Sequence, residues 1–142
     1  MHPLFEYGLI FVLAATPLVE LVVVIPLGAA MGMPLIPVTV VAFVGNALPV
    51  LGIIALYRAW VARRGPVRRR WSRRARRVWH RYGLPGVALL GPLLTGIHLA
   101  AVMALALKAR QRPTLYWMLA SLALWALATA AATALGLRWF TT

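Results

Sequence analysis

The chain has 142 residues, of which 63% are hydrophobic and 12% charged, and its formal net charge is +13. Soluble domains average about 45–50% apolar and about 25% charged residues, so the composition excludes an ordinary soluble domain and predicts one integral membrane domain over 1–142. Cysteine is absent, which excludes disulfides, thiolate metal sites and cysteine nucleophiles.

The first apolar block covers residues 4–34. A membrane span needs about 20 apolar residues, so this block is too long for one upright crossing and too short for two. Thr16-Pro17 lies near its middle, and the residue before a proline avoids the α-helical region. We therefore predict a re-entrant hairpin, made of two half-length helices that enter and leave the membrane on the same side.

The second apolar block, 35–60, predicts a single transmembrane helix. Pro49 cannot donate a hydrogen bond to the carbonyl of Gly45, which leaves an acceptor beside the amide of Asn46. This pair could bind a cation, a proton carrier or a substrate. Equally, Asn46 could form a hydrogen bond with a neighbouring helix.

The connector at 61–83 is strongly basic, and eleven arginines lie between residues 58 and 81. Its tryptophans and other apolar residues recur at helical spacing, which predicts an amphipathic helix in the membrane interface. Because membrane segments hold both ends, we expect lipid phosphates rather than nucleic acid as its partner. The predicted headgroup contacts are Arg68, Arg69, Arg70, Trp71, Arg73, Arg74, Arg76, Arg77 and Trp79.

The third apolar block, 84–107, is interrupted by Pro85, by Gly91-Pro92 and by Thr95-Gly96. Basic residues precede it and follow it, at 108–112, and short basic loops mark the cytoplasmic side. A second re-entrant hairpin would keep both basic clusters, including connector 61–83, in the cytoplasm. His98 follows the last break and could relay protons or form a packing hydrogen bond.

The fourth apolar block, 114–137, predicts a second transmembrane helix. Its two rows of small residues are Ala126, Ala130, Ala134 and Ala128, Ala132, Gly136. Such rows allow close helix packing, either inside the protein or against a second copy in a homo-oligomer.

The order of these blocks predicts an all-α membrane protein with an inverted repeat, in which each hairpin precedes a spanning helix. Paired segments interrupted by Gly and Pro are typical of transporters that bind their substrate near the middle of the membrane. Similarity between the halves is slight, with "IPLGAAMG" at 25–32 against "GPLLTGIH" at 91–98. The symmetry prediction therefore depends on the layout.

Glu20 is one of only two acidic residues, and it lies inside the first hairpin. A carboxylate at membrane depth usually faces a cavity, a partner or a proton path, although an interfacial Glu can also reach headgroup water. The sequence contains no Asp, no nucleophile motif, no phosphate-binding loop and no metal-ligand spacing. We therefore expect no enzymatic activity, no metal and no cofactor.

The segments "ELVVVIPLGAAMG" (20–32), "GNALPV" (45–50) and "GPLLTG" (91–96) resemble the small multidrug export protein family, within a wider DedA-like superfamily. The resemblance implies paired re-entrant hairpins and extends over roughly residues 16–136. Val22-Val23 stand where the family usually has a basic residue. Carried over residue by residue, the resemblance picks out Glu20, Pro26, Leu27, Gly28, Asn46, Pro49, Pro92, Thr95 and Gly96.

The first functional hypothesis is a small transporter of the cytoplasmic membrane that exports an amphipathic solute or lipid, with proton coupling through Glu20. Asn46 and Thr95 would line its site. The alternative is a non-transporting scaffold that organises lipids through its Arg/Trp-rich connector. The transport-site candidates are Glu20, Pro26, Gly28, Asn46, Pro49, Pro92, Thr95, Gly96 and His98.

Overall fold

The computed structural model describes residues 3–16, 19–65 and 73–141, and every regular element in these ranges is a helix. The all-α prediction is thereby confirmed for the described residues. The helices are α1 (Pro3–Ala15), α2 (Leu21–Ala30), α3 (Leu35–Arg64), α4 (Arg73–Leu94), α5 (Ile97–Ala106) and α6 (Gln111–Thr141).

Two helices are long and apolar enough to cross a membrane, namely α3 over Leu35–Arg64 and α6 over Gln111–Leu137. Many of the large apolar side chains are exposed, among them Ile36, Leu56 and Leu127. Exposed apolar surface on this scale suits contact with lipid rather than with water.

The remaining helices are short. Helices α1, α2 and α5 contain 13, 10 and 10 residues. Helix α4 is interrupted at Gly83, whose φ of 59° and ψ of −160° are not helical, so its apolar part begins after that kink. A helix rises about 1.5 Å per residue, so a straight 10-residue helix covers about half of the roughly 30 Å hydrocarbon layer.

The chain divides into two compact units, the first made of Met1–Leu48 with Leu122–Thr142 and the second of Pro49–Ser121. The first unit contains α1 and α2, which pack against each other, and parts of α3 and α6. The second contains α4 and α5, also packed together, and the remaining parts of α3 and α6. Each unit therefore has one pair of short apolar helical segments beside parts of the two long helices.

The same order of elements occurs twice. Helix α2 and helix α5 have 10 residues each, and each leads through a four-residue connection into a long helix. The first residues of the short helices, Leu21 and Ile97, are 76 positions apart, as are the first residues of the long helices, Leu35 and Gln111.

Both short helices also end in the same way. Gly32 has a φ of 78° and Lys108 a φ of 67°. After α2, the amide of Met33 donates to the carbonyl of Gly28; after α5, the amide of Ala109 donates to the carbonyl of Ala104. These hydrogen bonds form a Schellman motif, in which the left-handed residue is usually a glycine.

Glycines fix the closest helix contacts in the first unit. A Cβ atom at Gly28 would lie 2.7 Å from Cγ1 of Val38, and one at Gly45 would lie 2.8 Å from both the Ala14 Cβ and the Phe11 carbonyl oxygen. Because real Cβ atoms do not approach this closely, α3 can contact α1 and α2 at these positions only where a glycine stands.

Candidate functional site

The first unit buries three polar side chains among apolar ones, those of Glu20, Asn46 and Thr129. Glu20 is 6% exposed and Asn46 is fully buried. The backbone carbonyl of Glu20 accepts the first hydrogen bonds of α2, from the amides of Val23 and Val24. Glu20 itself has an extended backbone and directly precedes α2, and its side chain is buried.

Asn46 has one amide atom in a hydrogen bond and one without. Its Nδ2 donates to the carbonyl of Ala42 one turn earlier, at 3.2 Å. Its Oδ1 is buried and has no hydrogen-bond partner among the described residues. A buried acceptor of this kind costs about 1–3 kcal/mol, so the site favours any bound group that brings a donor or a positive charge. Pro49 removes the helical donor of the adjacent Gly45 carbonyl as well.

The second unit contains the break between α4 and α5. Gly96 has a φ of 82°, which L-residues with a side chain rarely adopt, and it directly precedes α5. The hydroxyl of Thr95 donates to the Gly96 carbonyl at 3.4 Å. His98 follows on the first turn of α5 and is 5% exposed, so its imidazole is inside the unit.

Beside this break, Ser121 provides the hydrogen bond that Pro92 removes from α4. Pro92 is buried in α4 and, having no N–H, leaves the carbonyl of Ala88 without its helical donor. The Oγ of Ser121 on α6 donates to that carbonyl at 2.7 Å. Serine hydroxyls restore freed carbonyls in this way in membrane helices. The sequence analysis missed Ser121, although Thr114, Ser121 and Thr129 recur at intervals of seven and eight residues, which marks one polar face of α6.

Pro26 has a different setting, because it is exposed on α2. It lines an open groove of about 640 Å³ within the first unit, together with Val22, Trp125, Thr129 and Thr133. Pro26 cannot donate to the Val22 carbonyl, so the groove contains a helical carbonyl without its usual donor and two threonines among apolar side chains. Ligand pockets in proteins measure about 300–1,000 Å³ and combine apolar walls with a few polar groups.

Comparison with known families gives one match. Residues 20–128, most of the chain, match the family described as "Putative small multi-drug export protein". The chain belongs to the small multidrug export protein family. No match was found among curated proteins or among solved structures.

The small multidrug export match begins at Glu20 and therefore covers α2, α3, α4, α5 and much of α6. All nine transport-site candidates lie within it. Together with the two apolar helices, it supports a membrane protein with an export role. The match shows the family and leaves the wider DedA-like relationship a prediction.

Within this small multidrug export protein, the structure divides the transport-site candidates between its two units. Glu20, Pro26, Gly28 and Asn46 belong to the first. Pro49, Pro92, Thr95, Gly96 and His98 belong to the second. Their joint role in one transport site stays a prediction.

The structure describes only some of the residues predicted to contact lipid headgroups. Arg68, Arg69, Arg70 and Trp71 lie outside the described residues. Arg73, Arg74 and Arg76 are in α4, which begins inside the predicted interfacial helix. On the same helix, Arg77 is exposed and Trp79 half-buried. Lipid contact by these residues remains a prediction.

Proposed function

We propose that this protein exports a small amphipathic solute or lipid across the cytoplasmic membrane, as a transporter and not as an enzyme. The observation that carries the proposal is the burial of polar groups at the starts of two helices too short to span a membrane and within the long helix α3. Glu20, Asn46 and His98 are all nearly or fully buried in otherwise apolar surroundings. Buried ionisable and amide groups in membrane segments mark ion and substrate pathways.

The proposal includes two re-entrant hairpins, α1/α2 and the apolar part of α4 with α5. Contacts in the second unit support the second hairpin. Tyr57, near the end of α3, lines one pocket with Lys108, Arg110 and Arg112 at the start of α6. Residues 108–112, which follow α5, therefore lie close to the last turns of α3, and this course favours a hairpin over a single crossing of about 30 Å.

The proposal also includes an inverted repeat of the two hairpin-plus-helix halves. The equal lengths of α2 and α5, their shared Schellman ends and the constant offset of 76 residues support it. Transporters built from inverted repeats alternate access by moving one repeat against the other around a central site. Connector 61–83 would then lie in the cytoplasm, where short basic loops are favoured.

The proposal places the substrate site and proton binding in the first unit. We assign the amphipathic substrate to the groove beside Pro26, where Trp125 offers an aromatic face and two threonines offer hydroxyls. We assign proton binding to Glu20, since it is one of only two side-chain carboxylates in the chain and the other, Glu6, is only half-buried near the chain start. Protonation of Glu20 would change the charge of the buried site during each cycle.

The test is transport by the purified chain in liposomes, with ethidium as the substrate probe and an imposed pH gradient. We expect gradient-driven ethidium movement for the wild type and a loss to the level of protein-free liposomes for Glu20→Gln. Glu6→Gln is the matched control, because it removes the other acid, and it should transport like the wild type.

Two outcomes contradict the proposal at different points. Wild-type protein that moves neither ethidium nor a fluorescent phospholipid faster than protein-free liposomes would refute the transport function. Normal transport by Glu20→Gln would keep the function and remove Glu20 from the coupling.

A further inference from the structure

The second unit has a basic pocket where α3 ends and α6 begins. We define the basic pocket by Tyr57, residues 108–113 and Tyr116, which enclose about 670 Å³. Three of these residues carry a positive charge, namely Lys108, Arg110 and Arg112. All three cations are exposed.

No acidic residue of the chain balances this charge locally. The only two, Glu6 and Glu20, belong to the first unit, and residues 49–121 contain no Asp or Glu at all. Any acidic group that pairs with the basic pocket therefore comes from outside residues 49–121. Anionic groups at the membrane surface are the nearest source for a membrane protein.

The two arginines lie at the unfavourable end of a helix. The amide of Thr114 donates to the carbonyl of Arg110, so Arg110 is the cap of α6 and Arg112 is in its first turn. The helix dipole places positive potential at this end, where an acid is stabilised and a base is not. A bound anion would offset both the dipole and the two guanidinium groups.

Lys108 occupies a backbone position that a glycine would fill with less strain. Its φ of 67° is in the left-handed region, which costs an L-residue about 1–2 kcal/mol. The corresponding position after α2 is Gly32. The ammonium group is therefore retained at a position where the fold itself favours its removal.

An apolar groove continues from the basic pocket. It encloses about 470 Å³ between α3 and α6, and apolar side chains such as Leu51, Ile54 and Leu115 form most of its lining. Besides Arg112, the polar lining residues are Arg58 and Gln111. Arg112 lines both spaces, so one guanidinium stands where the charged and the apolar parts meet. A free inorganic anion would fill only the first part, whereas a phospholipid would fill both.

We propose that the basic pocket and this groove bind one anionic glycerophospholipid. Lys108, Arg110 and Arg112 hold the headgroup phosphate, and one acyl chain lies along the groove. Tyr57 and Tyr116 flank the headgroup, as tyrosines do at membrane interfaces. The site is independent of the proposed transport groove, which belongs to the first unit.

The test is native mass spectrometry of the purified full-length chain in detergent, with added dioleoyl phosphatidylglycerol or, in a separate arm, dioleoyl phosphatidylcholine. We expect one phosphatidylglycerol to remain bound to the wild type under conditions that remove phosphatidylcholine. The double variant Arg110→Gln/Arg112→Gln should lose this lipid. Arg63→Gln/Arg64→Gln is the matched control, since it removes the same charge from the end of α3 outside the pocket and should retain the lipid.

Lys108→Gly separates the effect on lipid binding from the effect on folding. It removes the ammonium group, and it also removes the strain of the left-handed φ. We expect it to unfold at the same temperature as the wild type or higher, with weaker phosphatidylglycerol binding. Equal retention of both lipids by the wild type, or unchanged phosphatidylglycerol binding by Arg110→Gln/Arg112→Gln, would overturn the proposal. Glycerol 3-phosphate that binds as tightly as the lipid would overturn the phospholipid and leave a free-anion site.

Discussion

The two short helices α2 and α5 have the same length and the same type of end, yet opposite chemistry surrounds them. The residue before α2 is the buried acid Glu20, whereas the residue before α5 is Gly96. The left-handed residue after α2 is Gly32, and the one after α5 is Lys108. The same backbone frame therefore has a buried carboxyl group before α2 and an exposed ammonium group after α5.

The backbone frame and the charged groups that flank the helices are therefore set largely by separate residues. Helix lengths, caps and close contacts define the frame, and they tolerate different side chains at the flanking positions. Substitutions that target the frame should change stability in either unit. Substitution of Glu20 should change transport with little effect on folding, and substitution of Lys108 should weaken lipid binding.

The largest loss of stability is expected for Gly45→Ala, which disturbs helix packing in the first unit. In Gly45→Ala, the new Cβ would meet the Phe11 carbonyl oxygen at 2.8 Å, and a backbone atom cannot move aside as a side chain can. Overpacking typically costs about 1–3 kcal/mol, and we expect the upper part of that range. Thermal unfolding in detergent measures the loss.

Gly52→Ala is the control for that substitution, since Gly52 is on the same helix and a Cβ there would meet nothing within 4 Å. It should leave the unfolding temperature unchanged or raise it slightly, because alanine favours helix over glycine. Equal destabilisation by both variants would mean that Gly45 is not a close-contact position.

An intermediate effect concerns the frame of the second unit. Ser121→Ala removes the donor to the Ala88 carbonyl and should cost about 1–2 kcal/mol. In a Pro92→Ala background the helix regains its own N–H donor to that carbonyl, so the same serine substitution should cost much less.

A double-mutant cycle on Pro92 and Ser121, followed by thermal unfolding, measures this coupling. Additive losses from the two substitutions would show that the Ser121 hydroxyl does not compensate for the proline. Thr133→Ser serves as a control for handling and expression. The hydroxyl of Thr133 donates to the Thr129 carbonyl on its own helix, and serine keeps that hydroxyl.

The smallest changes in stability are expected at Gly32 and Lys108, the left-handed residues after α2 and α5. Gly32→Ala places a Cβ at a φ of 78° with no atom within 4 Å, so only backbone strain opposes it. We expect a loss of about 1 kcal/mol, and a gain of similar size for Lys108→Gly. Opposite shifts in unfolding temperature would support equivalent Schellman ends, and shifts of the same sign would contradict them.

The helical content and the two long apolar helices were predictable from the sequence, because membrane helices are recognised by the length and composition of their apolar segments. The two long apolar blocks predicted α3 and α6, and the Gly and Pro breaks predicted shorter helices around them. Thr16 directly follows the last residue of α1, and Thr95-Gly96 lie between α4 and α5. These features are local, so no knowledge of the packing is needed to find them.

The register between the halves was not predictable, because at the offset of 76 positions only scattered residues are identical, such as Pro37 and Pro113. The sequence comparison aligned 25–32 with 91–98, whereas the element bounds align 25–32 with 101–108. Burial follows that second alignment, as Ile25 with Ala101 and Val38 with Thr114 illustrate. Shared burial in dissimilar residues becomes visible only once the helices are placed.

The polar details of the site were likewise beyond the sequence. Glu20, Asn46 and His98 stood out as rare polar residues in apolar segments, and all three are buried. The spacing of Thr114, Ser121 and Thr129 marks a polar face of α6, but the partner of Ser121 and the residues of the basic pocket come from helices distant in the chain, which the sequence does not bring together. Exposure of Pro26 in a groove also depends on where α6 lies within the first unit.

The hydrogen bond from Ser121 to Ala88 has a consequence for how this chain can evolve. The hydroxyl is needed only while residue 92 is a proline, and the proline is tolerated only while a donor reaches it from another helix. Selection therefore acts on the two positions jointly. Among related sequences they should covary, although 29 positions separate them along the chain.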